Sequence, residues 1–132
     1  MAIATLGAIV LDCPDPVALA RFYAALLGGE VVEDAQEDTQ DGDTEAGASW
    51  VDLTGVPGAP LAFQAAPGYV PPSWPSPEGS QQFHLDLTVP DLDAAEEQVL
   101  ALGATALEAA DRKRTFRVYA DPAGHPFCLC SG

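Results

Sequence analysis

The chain has 132 residues, 48% of them apolar, which suits one packed domain and argues against global disorder. Its net charge of −15, from 20 acidic against 5 basic residues, excludes nucleic acid as a partner, because phosphate contacts need clustered Lys and Arg. No run approaches the roughly 20 continuous apolar residues of a membrane span, and no signal-peptide pattern opens the chain, so a cytoplasmic protein with no membrane partner is expected.

The first elements read as strand, helix and strands. Residues 6–12 form a buried strand. Asp15 followed by Pro16 is a helix start, a capping carboxylate before a proline whose missing N–H costs nothing there. Leu19, Phe22, Tyr23, Leu26 and Leu27 follow at helical spacing, and Gly28-Gly29 stops the helix. Strands are expected at 30–33, 48–54 and 60–66. Between the first two of these lies an acidic run, from Glu33 to Glu45, that reads as a solvated loop. Residues 67–79 hold five prolines and two glycines, so they are neither helix nor central strand but a bridge, taken as 67–80.

The order then repeats. Residues 82–89 alternate as a strand, Asp91 caps a helix with Leu92, Ala95, Val99 and Leu102 on its apolar face, and Gly103 stops it. Strands are expected at 104–108, 115–120 and 125–130, with a tight turn at 121–124 before the last. Pro14-Asp15 matches Pro90-Asp91 at an offset of 76, and Gly28 matches Gly103 at 75. The fold class is therefore α+β, a duplicated βαβββ unit: one module over about 1–66 and the other over about 81–132.

The alternation sorts chemistry onto faces. In 82–89, Phe83, Leu85, Leu87 and Val89 share one face, and His84, Asp86 and Thr88 the other. Applied to every strand, the same period gives a pocket wall of His84, Asp86, Gln64, Trp50, Asp52, Arg117, Tyr119 and Cys128. Tyr69 and Trp74 on the bridge are aromatics that prolines hold ready to stack on a flat ligand, or a plug between modules or at a dimer interface. Arg117 either clamps an anionic substrate group or pairs with carboxylates, the latter slightly favoured. His84 is a pocket residue, acting as metal ligand, base or plain ligand contact. Asp86 either orients it or stands near the open mouth. His125 is expected to be exposed. The odd count of cysteines without CxxC spacing points to reduced thiols, with Cys128 and Cys130 as small buried groups.

The Asp-Pro-x5-Phe-Tyr-x3-Leu-Gly stretch at 15–28, the His-Leu-Asp-Leu stretch at 84–87 and the Asp-Pro-x-Gly-His-Pro-Phe stretch at 121–127 resemble the vicinal oxygen chelate superfamily, which holds glyoxalase I, extradiol dioxygenases, fosfomycin-resistance proteins and bleomycin-binding proteins. The resemblance implies an open barrel of two modules around a U-shaped cavity, and a homodimer. It further implies that metal-using members draw ligands from the first and fourth strands of each module, here Ala8, Gln64, His84 and Cys128. Alanine cannot ligate, and the usual final-strand Glu is Cys128. No metal is therefore expected to be required. A divalent metal, if one binds, would use His84 and Gln64.

Three functions follow. The first is a metal-independent small-molecule-binding protein that sequesters an antibiotic-like ligand, flat or cationic. The second is a metal-dependent glyoxalase-like lyase, isomerase or dioxygenase that uses His84. The third is a structural or regulatory module with a filled cavity.

Overall fold

Short-range chemistry sets the helix ends. The Asp15 carboxylate accepts from the Ala18 N–H at 3.2 Å, with Pro16 in the first turn. The Asp91 carboxylate does the same for the Ala94 N–H at 3.1 Å. Each cap satisfies a backbone donor that the helix itself leaves without a partner. The computed structural model describes residues 2–33, 49–58, 60–72, 84–107 and 115–131. These divide into two compact units, Met1–Tyr69 and Val70–Gly132.

In the first unit, β1 (Ile9–Cys13) leads to α1 (Pro16–Leu27), then β2 (Glu30–Glu33), β3 (Trp50–Thr54) and β4 (Leu61–Ala65). The sheet order is β1-β4-β3-β2, with β1 and β4 parallel and the other pairs antiparallel. The second unit repeats this as β5 (Leu85–Val89), α2 (Leu92–Leu102), β6 (Thr105–Ala106), β7 (Phe116–Ala120) and β8 (Pro126–Ser131), in the order β5-β8-β7-β6. Each unit is thus a βαβββ module of an α+β fold. The strand expected at 6–12 begins only at Ile9, because Leu6 and Gly7 are exposed ahead of the pairing. Most of the acidic run, most of the bridge and Trp74 lie outside the described residues.

Helix α1 is fastened by apolar burial. Leu19, Ala20, Phe22 and Tyr23 are buried against Val51, Leu53, Leu61 and Phe63 of the sheet. Tyr23 stacks on Phe63 with ring centroids 5.8 Å apart, and Phe22 meets Tyr23 edge-on at 4.9 Å. Each such side chain contributes about 1.5–3 kcal/mol.

Helix α2 is fastened differently. Val99 is its one buried residue, and Leu102, expected on the apolar face, is 41% exposed. The sheet beneath offers Arg117 and Tyr119 where the first unit offers Val51 and Leu53. The Arg117 guanidinium donates to Asp93 at 2.8 Å, to Glu96 at 3.4 Å and to the Leu92 carbonyl at 3.5 Å. The Tyr119 hydroxyl donates to Glu96 at 2.6 Å. Burial, and then the bond to Glu96, pushes that hydroxyl far above the ordinary tyrosine range, so it stays protonated.

One glycine is required by a close approach. Gly29 has φ +90°, and a Cβ there would sit 2.5 Å from the Thr54 carbonyl oxygen and 2.8 Å from Val56 Cγ2. The matching residue of the second unit is Ala104, which is buried. Gly29→Ala is expected to cost at least about 2 kcal/mol, from the left-handed backbone plus the overlap. The shift of the urea midpoint measures it, and a loss below about 0.5 kcal/mol would contradict the packing of this turn.

Candidate functional site

Each sheet covers one face with its helix, so the chemistry available to a ligand lies on the other, helix-free face. On the first sheet, the register pairs Trp50 and Asp12 with Gln64, and Asp52 with Ala62, placing all five on that face. The Trp50 indole N–H donates to the Asp52 carboxylate at 3.0 Å. That bond fixes the ring plane while leaving carboxylate oxygen available to accept more. Arg21, exposed on α1, is the one Lys or Arg within residues 1–69, so this face carries negative charge beside an aromatic surface.

On the second sheet, His84 stands one residue ahead of β5, and its Nε2 lies 3.2 Å from Asp86 Oδ1. The parallel β5–β8 register sets Asp86 beside Cys128. The donor atoms of His84, Asp86 and Cys128 all lie within 4.8 Å of one another. Cys128 is 3% exposed on interior strand β8, His84 is half-buried, and Asp86 is exposed. Burial, and then the Asp86 charge, pushes the Cys130 thiol up, so the next thiol along this face stays protonated at neutral pH.

The sequence-predicted wall therefore divides. Trp50, Asp52 and Gln64 come together on one sheet, and His84, Asp86 and Cys128 on the other. Arg117 and Tyr119 belong to neither group. They lie on the helix side of β7, because α2 supplies Asp93 and Glu96 there. Phe116 and Val118 take the helix-free positions on that strand, in register with Cys130 and Cys128. Tyr69 is half-buried at the end of the first unit, its N–H donating to the Ala66 carbonyl at 3.1 Å. His125 is half-buried in the turn before β8, where the buried Asp121 carboxylate accepts from the Ala123 and His125 N–H groups at 2.9 and 3.0 Å. The Asp-Pro-x-Gly-His stretch is thus a turn that aims β8.

Sequence reasoning missed Asp12. It ends an apolar run read as wholly buried, yet it matches Thr88 at the 76-residue offset, and Thr88 was already placed on the His84 face.

The matched registers also correct one metal position. Ile9 pairs with Leu61 in the first sheet, and Leu85 with Phe127 in the second. Ala8 therefore corresponds to His84, and Ala62 corresponds to Cys128. Gln64 corresponds to Cys130, two residues further along. The first unit offers no donor at either matched position. The second offers nitrogen, oxygen and sulfur together, a set that fits a borderline-soft divalent ion.

A family model described as a glyoxalase-like domain matches residues 8–130. Among curated proteins, none matches. Several solved structures share the fold at low identity. A glyoxalase/bleomycin resistance protein/dioxygenase family enzyme from Burkholderia phytofirmans is 16% identical, with a TM-score of 0.66 over 97% of this chain and 98% of that one. The fosfomycin resistance protein FosX from Listeria monocytogenes, complexed with Mn(II) and a dihydroxypropylphosphonic acid, is 16% identical, with a TM-score of 0.68 over 99% and 94%. TnmS3, an antibiotic binding protein from a Streptomyces species, is 16% identical, with a TM-score of 0.56 over 99% and 98%. No helix among the described residues is long and apolar enough to cross a membrane. With its two βαβββ units and a family match over nearly its whole length, the chain belongs to the glyoxalase-like domain family of the vicinal oxygen chelate superfamily.

Proposed function

We propose that this protein binds an organic small molecule without requiring a metal, sequestering an antibiotic-like ligand that is flat and carries positive charge. The observation that carries the reading is the helix-free face of the first sheet. Ala8 and Ala62 stand where the second unit has His84 and Cys128, so the first unit supplies no donor at either matched position. In its place the face presents Trp50 bonded to Asp52, with Gln64 and Asp12 alongside. An indole face attracts a cationic or planar group, and the carboxylates complement its charge. The resemblance extends this reading to a homodimer.

Tryptophan fluorescence titration with a panel of planar ammonium compounds, with and without a chelator, tests this. Saturable quenching that the chelator does not change is expected. Trp50→Ala should weaken binding about tenfold, or about 1.4 kcal/mol. Absence of saturable binding across the panel would sink the reading.

A second reading is favoured by one observation, the convergence of His84, Asp86 and Cys128. It is a metal-dependent lyase, isomerase or dioxygenase in which His84 is a ligand, and a bound ion would supply Lewis-acid polarisation of vicinal substrate oxygens. Ligand binding abolished by the chelator would favour it.

A further inference from the structure

The helix-free face of the first sheet carries a pattern set by strand register. Asp12 of β1 and Trp50 of β3 stand on either side of Gln64 in β4, and Val10 and Asp52 stand on either side of Ala62, two residues away. Acidic and apolar corners therefore alternate, with Asp12 facing Asp52 along one diagonal and Val10 facing Trp50 along the other. We infer that this face selects a ligand with two cationic groups, one at each end of a flat core, Asp52 holding one and Asp12 the other. The inference rests on the proposed function, which needs a single positive charge, and adds the second charge and its spacing.

Two arguments carry it. The first is distance. Strands stand about 4.8 Å apart and rise about 3.3 Å per residue, so two strands across and two residues along separate the Asp12 and Asp52 Cα atoms by about 12 Å. The indole N–H of Trp50 holds the Asp52 carboxylate along its own strand, not across the sheet. One ammonium, which reaches about 2.7–2.9 Å to each carboxylate oxygen, does not span that gap. The middle of the diagonal is uncharged, since Gln64 is an amide and Ala62 raises nothing beyond a methyl. Val10, 38% exposed, and the Trp50 indole flank the diagonal, so a flat core laid along it meets apolar surface on both sides.

The second is charge. Arg21, the one Lys or Arg within residues 1–69, is exposed on α1, the helix that covers the opposite face. A carboxylate has about four lone-pair directions, so each Asp accepts from a ligand alongside any bond it makes within the protein, as Asp52 makes with the indole. Surface charges about 12 Å apart lie beyond the Debye length of about 8 Å at physiological salt, so the two carboxylates act as separate cation sites.

Calorimetry on chelator-treated protein compares 4-(aminomethyl)biphenyl with 4,4′-bis(aminomethyl)biphenyl, whose nitrogens stand about 11 Å apart on the same flat core. The diamine is expected to bind at least about tenfold tighter, and its affinity to fall about twice as steeply with added salt. Asp12→Asn, a change at an exposed side chain, should cost the diamine about tenfold and the monoamine less than about threefold, whereas Asp52→Asn should weaken both. Among smaller probes, the para isomer of bis(aminomethyl)benzene should bind tighter than the ortho isomer, which has the same charge but nitrogens only about 3–5 Å apart. Equal affinity of monoamine and diamine would overturn the inference while leaving the single-charge reading in place. So would ortho binding as tight as para, or an Asp12→Asn loss as large for the monoamine as for the diamine. Saturable binding of neither biphenyl amine would overturn the inference together with the reading beneath it.

Discussion

Phe63→Ala is expected to lower stability by about 3–5 kcal/mol. The Phe63 ring is fully buried under α1, on a strand paired with β1 on one side and β3 on the other. Truncation removes a transfer contribution of about 1.5–3 kcal/mol and leaves a cavity that interior strand β4 cannot close by moving. It also removes the stacked partner of Tyr23, worth about 0.5–1.5 kcal/mol. Against a total stability on the order of 5–15 kcal/mol, the melting temperature should fall by roughly 10 °C or more. Phe63→Leu refills much of the volume and should cost only about 1–1.5 kcal/mol. Calorimetry or urea unfolding measures both. If the two variants lose the same amount, the ring is not packed as described.

Arg117→Ala should cost about 3 kcal/mol by a different mechanism. Its side chain is 7% exposed and bridges β7 to Asp93, Glu96 and the Leu92 carbonyl of α2. Removing it leaves the partly buried Glu96 carboxylate with one fewer donor and takes away the main tie between the helix and the sheet. The figure sits at the low end for a broken buried pair because Asp93 is 62% exposed and water replaces part of its bond. Arg117→Lys should recover only part of the loss, since a single ammonium cannot reach Asp93, Glu96 and the Leu92 carbonyl as the fork does. Hydrogen exchange should show α2 opening more readily while α1 keeps its protection. Uniform loss of protection in both helices would argue that Arg117 acts through something other than this contact.

The parts of the fold legible in the sequence are those governed by near neighbours. Asp15 and Asp91 reach three residues ahead, so the helix starts are written locally. Gly103, left-handed at φ 119°, ends α2 for the same kind of reason. The repeat of this order across the chain identified the βαβββ duplication, and with it the family. The shared faces of Trp50 with Asp52 and of His84 with Asp86 were legible too, because residues two apart on a strand lie on one side whatever else the chain does, and the structure joins each pair by a contact.

A period of two separates a strand into two rows but does not say which row meets the helix. That choice depends on what the helix brings. Glu96 and Asp93 drew Arg117 and Tyr119 to the helix side of β7, while Val51 and Leu53 fill the matching positions on apolar grounds. Register is equally non-local. Strand pairing across 52 residues between Ile9 and Leu61, and across 42 between Leu85 and Phe127, made Ala62 the counterpart of Cys128 and displaced Gln64 by two. By itself the sequence determined where the helices begin and end, the order of the elements and that the unit occurs twice. Only the tertiary structure decided which polar row lies on the helix-free face and which donors meet there, because those outcomes rest on contacts between strands far apart in the chain.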